Sequence, residues 1–181
     1  MASEAWNAHV RGNRAEYDAY KAALTARFGD CDPRFADALK KYLEFLLRRG
    51  AVPYRPCQQN SDFVIDNRLP EQATIGLVAD WGTGQPEAIE VLEQVKRQNP
   101  NVVIHLGDIY YAGTASEVEN YFYRPWQKVL QPETSGITSL VLAGNHDLYA
   151  GGQPFYDLLD RIGQPASFFC LRNKHWQLIG L

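Results

Sequence analysis

An α/β layered domain preceded by an α-helical extension is the fold that this 181-residue sequence predicts. Three observations carry the prediction. From Ala73 onward, short aliphatic runs alternate with stretches of helical periodicity, the pattern of parallel strands joined by right-handed helical crossovers. Up to Gly50, apolar residues recur only at helical spacing. Between these regions, Pro53, Pro56 and Pro70 among polar residues mark a connector. The expected division is therefore a helical extension over 1–50, a connector over 51–72 and a layered domain over 73–181.

Taken in order, Tyr17, Tyr20, Leu24 and Phe28 predict a helix stopped by Gly29, with a shorter helix expected ahead of Gly12. Asp32-Pro33 starts the next helix as a capping acid followed by a first-turn proline. Its stripe of Phe35, Leu39, Tyr42, Leu43 and Leu46 runs to Gly50, and the two helices are read as a hairpin whose aromatic faces serve packing. Strands follow at Phe63–Ile65, Ile75–Ala79, Val102–Leu106 and Leu140–Ala143, with a helix over Pro86–Lys96. Thr114-Ala115-Ser116-Glu117 is a capping box opening a helix that Pro125 should end or kink. A short helix ends at Ile162-Gly163, after which Ala166–Leu171 and Lys174–Leu181 read as antiparallel strands around an Arg172-Asn173 turn.

Composition narrows the function classes. With 45% apolar residues, 22% charged and a formal charge of -3, the chain has no global electrostatic reason to bind nucleic acid or anionic lipid. Cys31, Cys57 and Cys170 are odd in number and form no C-x-x-C pair, so reduced structural thiols are expected. Met1 to Val10 lack the apolar core of a signal peptide, and no run approaches the ~20 apolar residues of a membrane span. A cytoplasmic location is the expectation.

In open parallel sheets, ligands gather outside the carboxyl ends of the strands. Asp80-Trp81-Gly82, Gly107-Asp108-Ile109-Tyr110-Tyr111 and Gly144-Asn145-His146-Asp147 each follow a predicted strand. Three successive strands would thus deliver Asp80, Asp108 and Asn145 to one rim. Carboxylate and amide oxygens suit hard metal ions, and a carboxylate can bridge two of them. Two metals roughly 3.5–4 Å apart can generate a hydroxide nucleophile and clamp phosphoryl oxygens. His146 could supply a proton or hydrogen bond to the phosphoryl or leaving group, while Asp147 could orient the His146 ring or bind loop backbone. Trp81 could wall the site or pack inward; His105 and His175 read as satisfied sheet histidines, and His9 as solvated. Gly82-Thr83-Gly84 is not followed by Gly-Lys-Ser/Thr, nor does a G-x-S-x-G elbow occur, which removes the phosphate-loop and serine-hydrolase readings.

On these motifs the stretch from Ala73 to Leu181 resembles the calcineurin-like metallophosphoesterases, whose fold is a layered α/β sandwich. Most of that superfamily carries a histidine two places after the first aspartate, where this chain has Gly82. The purple acid phosphatase branch, including its small tartrate-resistant members, lacks that histidine and uses a tyrosine three places after the second aspartate, here Tyr111. The resemblance implies Asp80 and Tyr111 on a first metal, Asp108 bridging, Asn145 on a second and His146 assisting the leaving group; neighbouring Tyr110 is an alternative to Tyr111. It also implies iron paired with zinc, manganese or iron, or else two manganese or zinc ions, and a dinuclear metal-bound hydroxide acting on a small phosphomonoester.

The family's later histidines, from a Gly-His and a Gly-His-x-His loop, have no counterpart here, and the sequence stops in an apolar strand pattern at Leu181. The expectation is the amino-terminal half of a catalytic domain, with self-association through an exposed sheet edge. The alternatives are a manganese or zinc phosphodiesterase of the same superfamily and a truncated, noncatalytic binding or regulatory module.

Overall fold

The computed structural model describes residues 8, 11–28, 33–48, 50–55, 59, 61, 63–66 and 68–181. The helix expected ahead of Gly12, the stop at Gly29, the cap at Asp32, and His9, Cys31 and Cys57 lie outside the described residues. The chain divides into two compact units, Met1–Asp37 and Ala38–Leu181. In the first unit, α1 (Arg14–Phe28) is capped by Asn13, whose Oδ1 accepts from the Glu16 N–H at 3.2 Å while its Nδ2 donates to the Glu16 carboxylate at 3.0 Å. Helix α2 (Pro33–Leu47) carries the predicted stripe.

Two three-stranded sheets build the second unit. Strands β2 (Ile75–Val78), β3 (Val102–His105) and β4 (Thr138–Val141) pair in parallel in that order. Between them run α3 (Pro86–Arg97) and a continuous helical stretch of α4 (Ala115–Glu117), a π-helical turn at Val118–Tyr123 and α5 (Arg124–Leu130), followed by the short α6 (Pro132–Ser135). After β4 come α7 (His146–Tyr149) and α8 (Gln153–Ile162). The second sheet joins β1 (Val64–Asp66), parallel, to β5 (Phe169–Arg172), which pairs antiparallel with β6 (Gln177–Gly180). The predicted mixed α/β class and its parallel strands are both present. The last hairpin turns over Asn173–Trp176, longer than the predicted turn, because the Asn173 Oδ1 accepts from the His175 and Trp176 N–H groups at 2.8 Å.

Every residue of β3 is buried, and its two-residue period sends the side chains into two separate cores. Val102 and Ile104 pack with Leu140, Phe169 and Leu171 between the sheets. Val103 meets Leu92, Phe122, Trp126 and Leu130 beneath the helices. The central strand is therefore sandwiched between a sheet and a helix layer. At the edge strand β4, the buried Gln164 side chain accepts from the Val141 N–H and donates to the Val141 carbonyl, both at 2.8 Å, substituting for a neighbouring strand.

Pro125 neither ends the helical stretch nor leaves it regular. The Arg124 N–H reaches back five residues to the Glu119 carbonyl, a wider turn that relieves the clash of a proline ring with the carbonyl four residues earlier. Among the described residues, no helix is long and apolar enough to cross a membrane.

Candidate metal centre

The parallel register of β2, β3 and β4 brings three loops to one end of the sheet. Asp80 and Asp108 both take left-handed backbone conformations, φ 55° and 71°, which a short polar side chain tolerates better than a bulky one. Pairing continues into the loops: the Asp80 N–H donates to the Gly107 carbonyl at 3.0 Å and the Tyr110 N–H to the Gly82 carbonyl at 2.8 Å. The third loop comes closer still. A Cβ on Gly107 would lie 2.3 Å from the Gly144 nitrogen, and one on Gly144 would lie 2.2 Å from Asp108 Oδ1. Only glycines let the backbones that precede Asp108 and Asn145 approach in this way.

Two buried carboxylates brace the Asp108 loop. Asp147 accepts from the N–H groups of Asp108 at 2.8 Å, Ile109 at 3.1 Å and Gly144 at 2.7 Å, tying the second loop to the third. Burial pushes its carboxyl up to about 6, against the lowering effect of those three N–H donors. Of the two roles open to Asp147, the geometry is that of the backbone brace. Glu117 accepts from the Tyr111 N–H, from the Ala112 N–H at 3.2 Å, and from the Thr114 N–H and hydroxyl at 2.9 and 2.8 Å. The predicted capping box is present, and its acid also fixes the turn after Tyr111.

On this frame the rim side chains converge. The Tyr110 hydroxyl donates to Asp80 Oδ1. Burial, that bond and the charge of Asp108 all raise the Tyr110 phenol above its usual range. Asp108 Oδ1 accepts from the His146 N–H at 2.9 Å. The His146 ring is oriented by the Tyr111 carbonyl, which accepts from Nδ1 at 2.6 Å, leaving Nε2 as the atom able to exchange a proton. Asn145 donates through Nδ2 to the Tyr149 hydroxyl at 2.5 Å, leaving its Oδ1 as the amide atom that could hold a metal.

Asp80, Asp108, Asn145 and His146 are thus brought to one rim, as the motifs predict. Tyr111 contributes its backbone on both sides, to Glu117 and to His146, while its ring centroid lies 6.0 Å from that of Tyr110. The phenol on Asp80 is that of Tyr110. Three further contributors escape the motif reading. Tyr149 stands one helical turn after Asn145, a spacing that could have revealed it. Tyr42, read as packing, lies 4.7 Å from Tyr149 by ring centroids, so α2 borders the site within the second unit. Glu117 was hidden behind its capping role.

Other candidates fall away from the rim. Trp81 is buried edge-on against Phe122 and Trp126 at centroid distances of 5.9 and 5.4 Å, and its indole N–H donates to the Ala88 carbonyl. His105 is fully buried in β3, but among the described residues its Nε2 has no hydrogen-bond partner, so it is not the satisfied sheet histidine that the sequence predicts. Burial lowers it from 6.5 to about 3, holding the ring neutral.

Among the described residues, no group of three or more His, Cys, Asp or Glu side chains comes together to hold a metal ion. The donors available are two carboxylates, an amide oxygen and tyrosine hydroxyls, an all-oxygen set whose chemistry fits hard cations. Comparison with curated proteins and with solved structures returned no match. The family model for the calcineurin-like phosphoesterases matches residues 73–181, the stretch that carries all three acidic or amide loops. Members of that family are metal-dependent hydrolases of phosphoesters that generally bind two divalent ions. The chain belongs to the calcineurin-like phosphoesterase family.

Proposed function

We propose that this protein acts on phosphomonoesters at a dinuclear centre of the purple acid phosphatase type, with Asp80, Asp108, Asn145 and a tyrosine hydroxyl holding the metals. The observation that carries the reading is the Tyr110 hydroxyl on the Asp80 carboxylate at the strand ends, beside Asp108. Gly82 supports it from the other side. A Cβ there would lie 3.0 Å from the Ile109 Cα, so the place where most of the superfamily presents a histidine is crowded by backbone. The Tyr110 phenol is a donor beside Asp80.

Bound there, two metal ions would activate water as the nucleophile and offset the charge of the phosphoryl oxygens. The protein's own groups do the rest. Asp147 and Glu117 hold the Asp108 loop rigid, Tyr149 turns the Asn145 amide oxygen outward, and the Tyr111 carbonyl aims His146 Nε2 at the rim, where it would protonate the departing alkoxide. The resemblance points to Tyr111 as the metal-binding phenol, and the geometry to Tyr110.

Ferric loading of the full-length protein decides between them. A tyrosinate charge-transfer band in the visible that is lost in Tyr110→Phe and kept in Tyr111→Phe is the expected result, with turnover of p-nitrophenyl phosphate falling in parallel. A colourless protein that turns over bis(p-nitrophenyl) phosphate in preference to the monoester would replace this reading with a phosphodiesterase.

A further inference from the structure

A cavity of about 800 Å³ opens between α3 and the π-helical turn and α5, on the helix layer. Its size is that of a small-molecule pocket. Helix α3 leaves the rim after β2 and returns the chain to the start of β3, so Lys96 and Arg97 in its last turn lie toward the end of the sheet opposite Asp80. The cavity is thus distinct from the metal centre.

Four cations line it, Lys96, Arg97, Arg124 and Lys128, against one acid, Glu93. This concentration of positive charge occurs on a chain whose formal charge is -3. Carboxylates meet only part of this charge. Arg97 pairs with Glu93 at 3.7 Å and Arg124 shares the carboxylate of Glu119 with Arg161, while Lys96 donates to the Val129 carbonyl. Lys128 has no carboxylate partner among the described residues. Ile89 and Val129 add an apolar lining. The wide turn belongs to the same wall: Asn120, within it, lines the cavity, and such turns interrupt α-helices often at functional positions.

We propose that this cavity is a second ligand site, which binds an organic phosphate of nucleotide size. Its phosphates meet Lys128, Arg97 and Arg124, and its apolar or planar body lies on Ile89 and Val129. Guanidinium and ammonium groups around a concave, partly apolar floor match such an anion. A nucleic-acid strand would demand cations spread along its backbone instead of gathered in one hollow.

Calorimetric titration of the full-length protein in EDTA, with ADP as the probe, tests the proposal. Saturable one-to-one binding is expected, weakened at least about tenfold by the pair Arg97→Glu and Lys128→Glu, the loss of one charge-assisted bond or more. Lys128→Gln alone should weaken binding by a smaller factor, which covers a failure of the double variant to fold. Lys174→Glu, which removes the same kind of charge elsewhere on the surface, and Asp108→Asn should leave the affinity unchanged. No saturable binding, equal affinity in the cavity variants, or loss in Asp108→Asn would overturn it. So would adenosine or inorganic pyrophosphate binding as tightly as ADP, since either would remove one half of the proposed recognition.

Discussion

The loops after β2 and β3 each place an aspartate in a left-handed conformation at the rim, but they are anchored by opposite kinds of interaction. Asp80 precedes Trp81, whose indole is sunk among Phe122 and Trp126, so the first loop is held by apolar burial. Asp108 leads a loop held by two buried carboxylates that collect backbone N–H groups from both sides. The aspartates offered to solvent at the rim and the acids that brace them are different residues. Neighbouring acids in the sequence therefore need not share a function, and the bracing ones are recognised by the N–H donors around them.

The largest effect should come from the apolar anchor. Trp81→Ala removes a buried indole and is expected to cost about 3–5 kcal/mol in urea unfolding, nearly independent of pH. A loss below about 1 kcal/mol would mean that the first loop is held by its backbone pairing alone. Asp147→Ala should cost about 3 kcal/mol, because three N–H groups lose their acceptor and each unsatisfied buried group costs about 1–3 kcal/mol, partly relieved by water. Asp147→Asn, which keeps one acceptor oxygen, should fall between wild type and Asp147→Ala. If Asp147→Asn matched wild type, the charge of the brace would contribute nothing.

A smaller effect separates the two anchors by pH. His105 titrates from 6.5 down to about 3 on folding, so between those values the unfolded chain binds more protons and stability is lost as pH falls. Asp147 moves the other way, from 3.8 to about 6, so in that window the folded chain binds more protons and stability is gained as pH falls. Between pH 4 and 6 the two contributions oppose and largely cancel in metal-free protein, that of His105 extending over the wider range. In His105→Leu the slope of stability against pH between 4 and 6 should turn to a gain as pH falls, a result read from urea midpoints across that range. An unchanged slope would show that His105 does not govern the acid response.

Much of this arrangement was legible in the sequence, because strand runs and their carboxyl-end motifs are local patterns. Asp80, Asp108 and Asn145 reach one rim as soon as β2, β3 and β4 are parallel neighbours. What escaped depends on the path of the backbone inside a loop. Tyr110 and Tyr111 are adjacent, and only the pairing of the Tyr110 N–H with Gly82 directs one phenol to Asp80. The sequence leaves the role of Asp147 open because two of its partners lie on the loop after β3, far back in the chain. The parallel pairing of β1 with β5 is likewise non-local, and the wide turn before Pro125 is a compromise that no periodicity announces.

The central claim is that Asp80 and Asp108 form the nucleus of a metal site. Titration of metal-stripped full-length protein with Mn²⁺, followed by calorimetry, tests it most directly. Saturable binding that Asp80→Asn and Asp108→Asn each weaken by at least about tenfold, with urea stability shifted by less than about 1 kcal/mol, is the result predicted. Mn²⁺ binding of the same affinity and stoichiometry in both variants would contradict it.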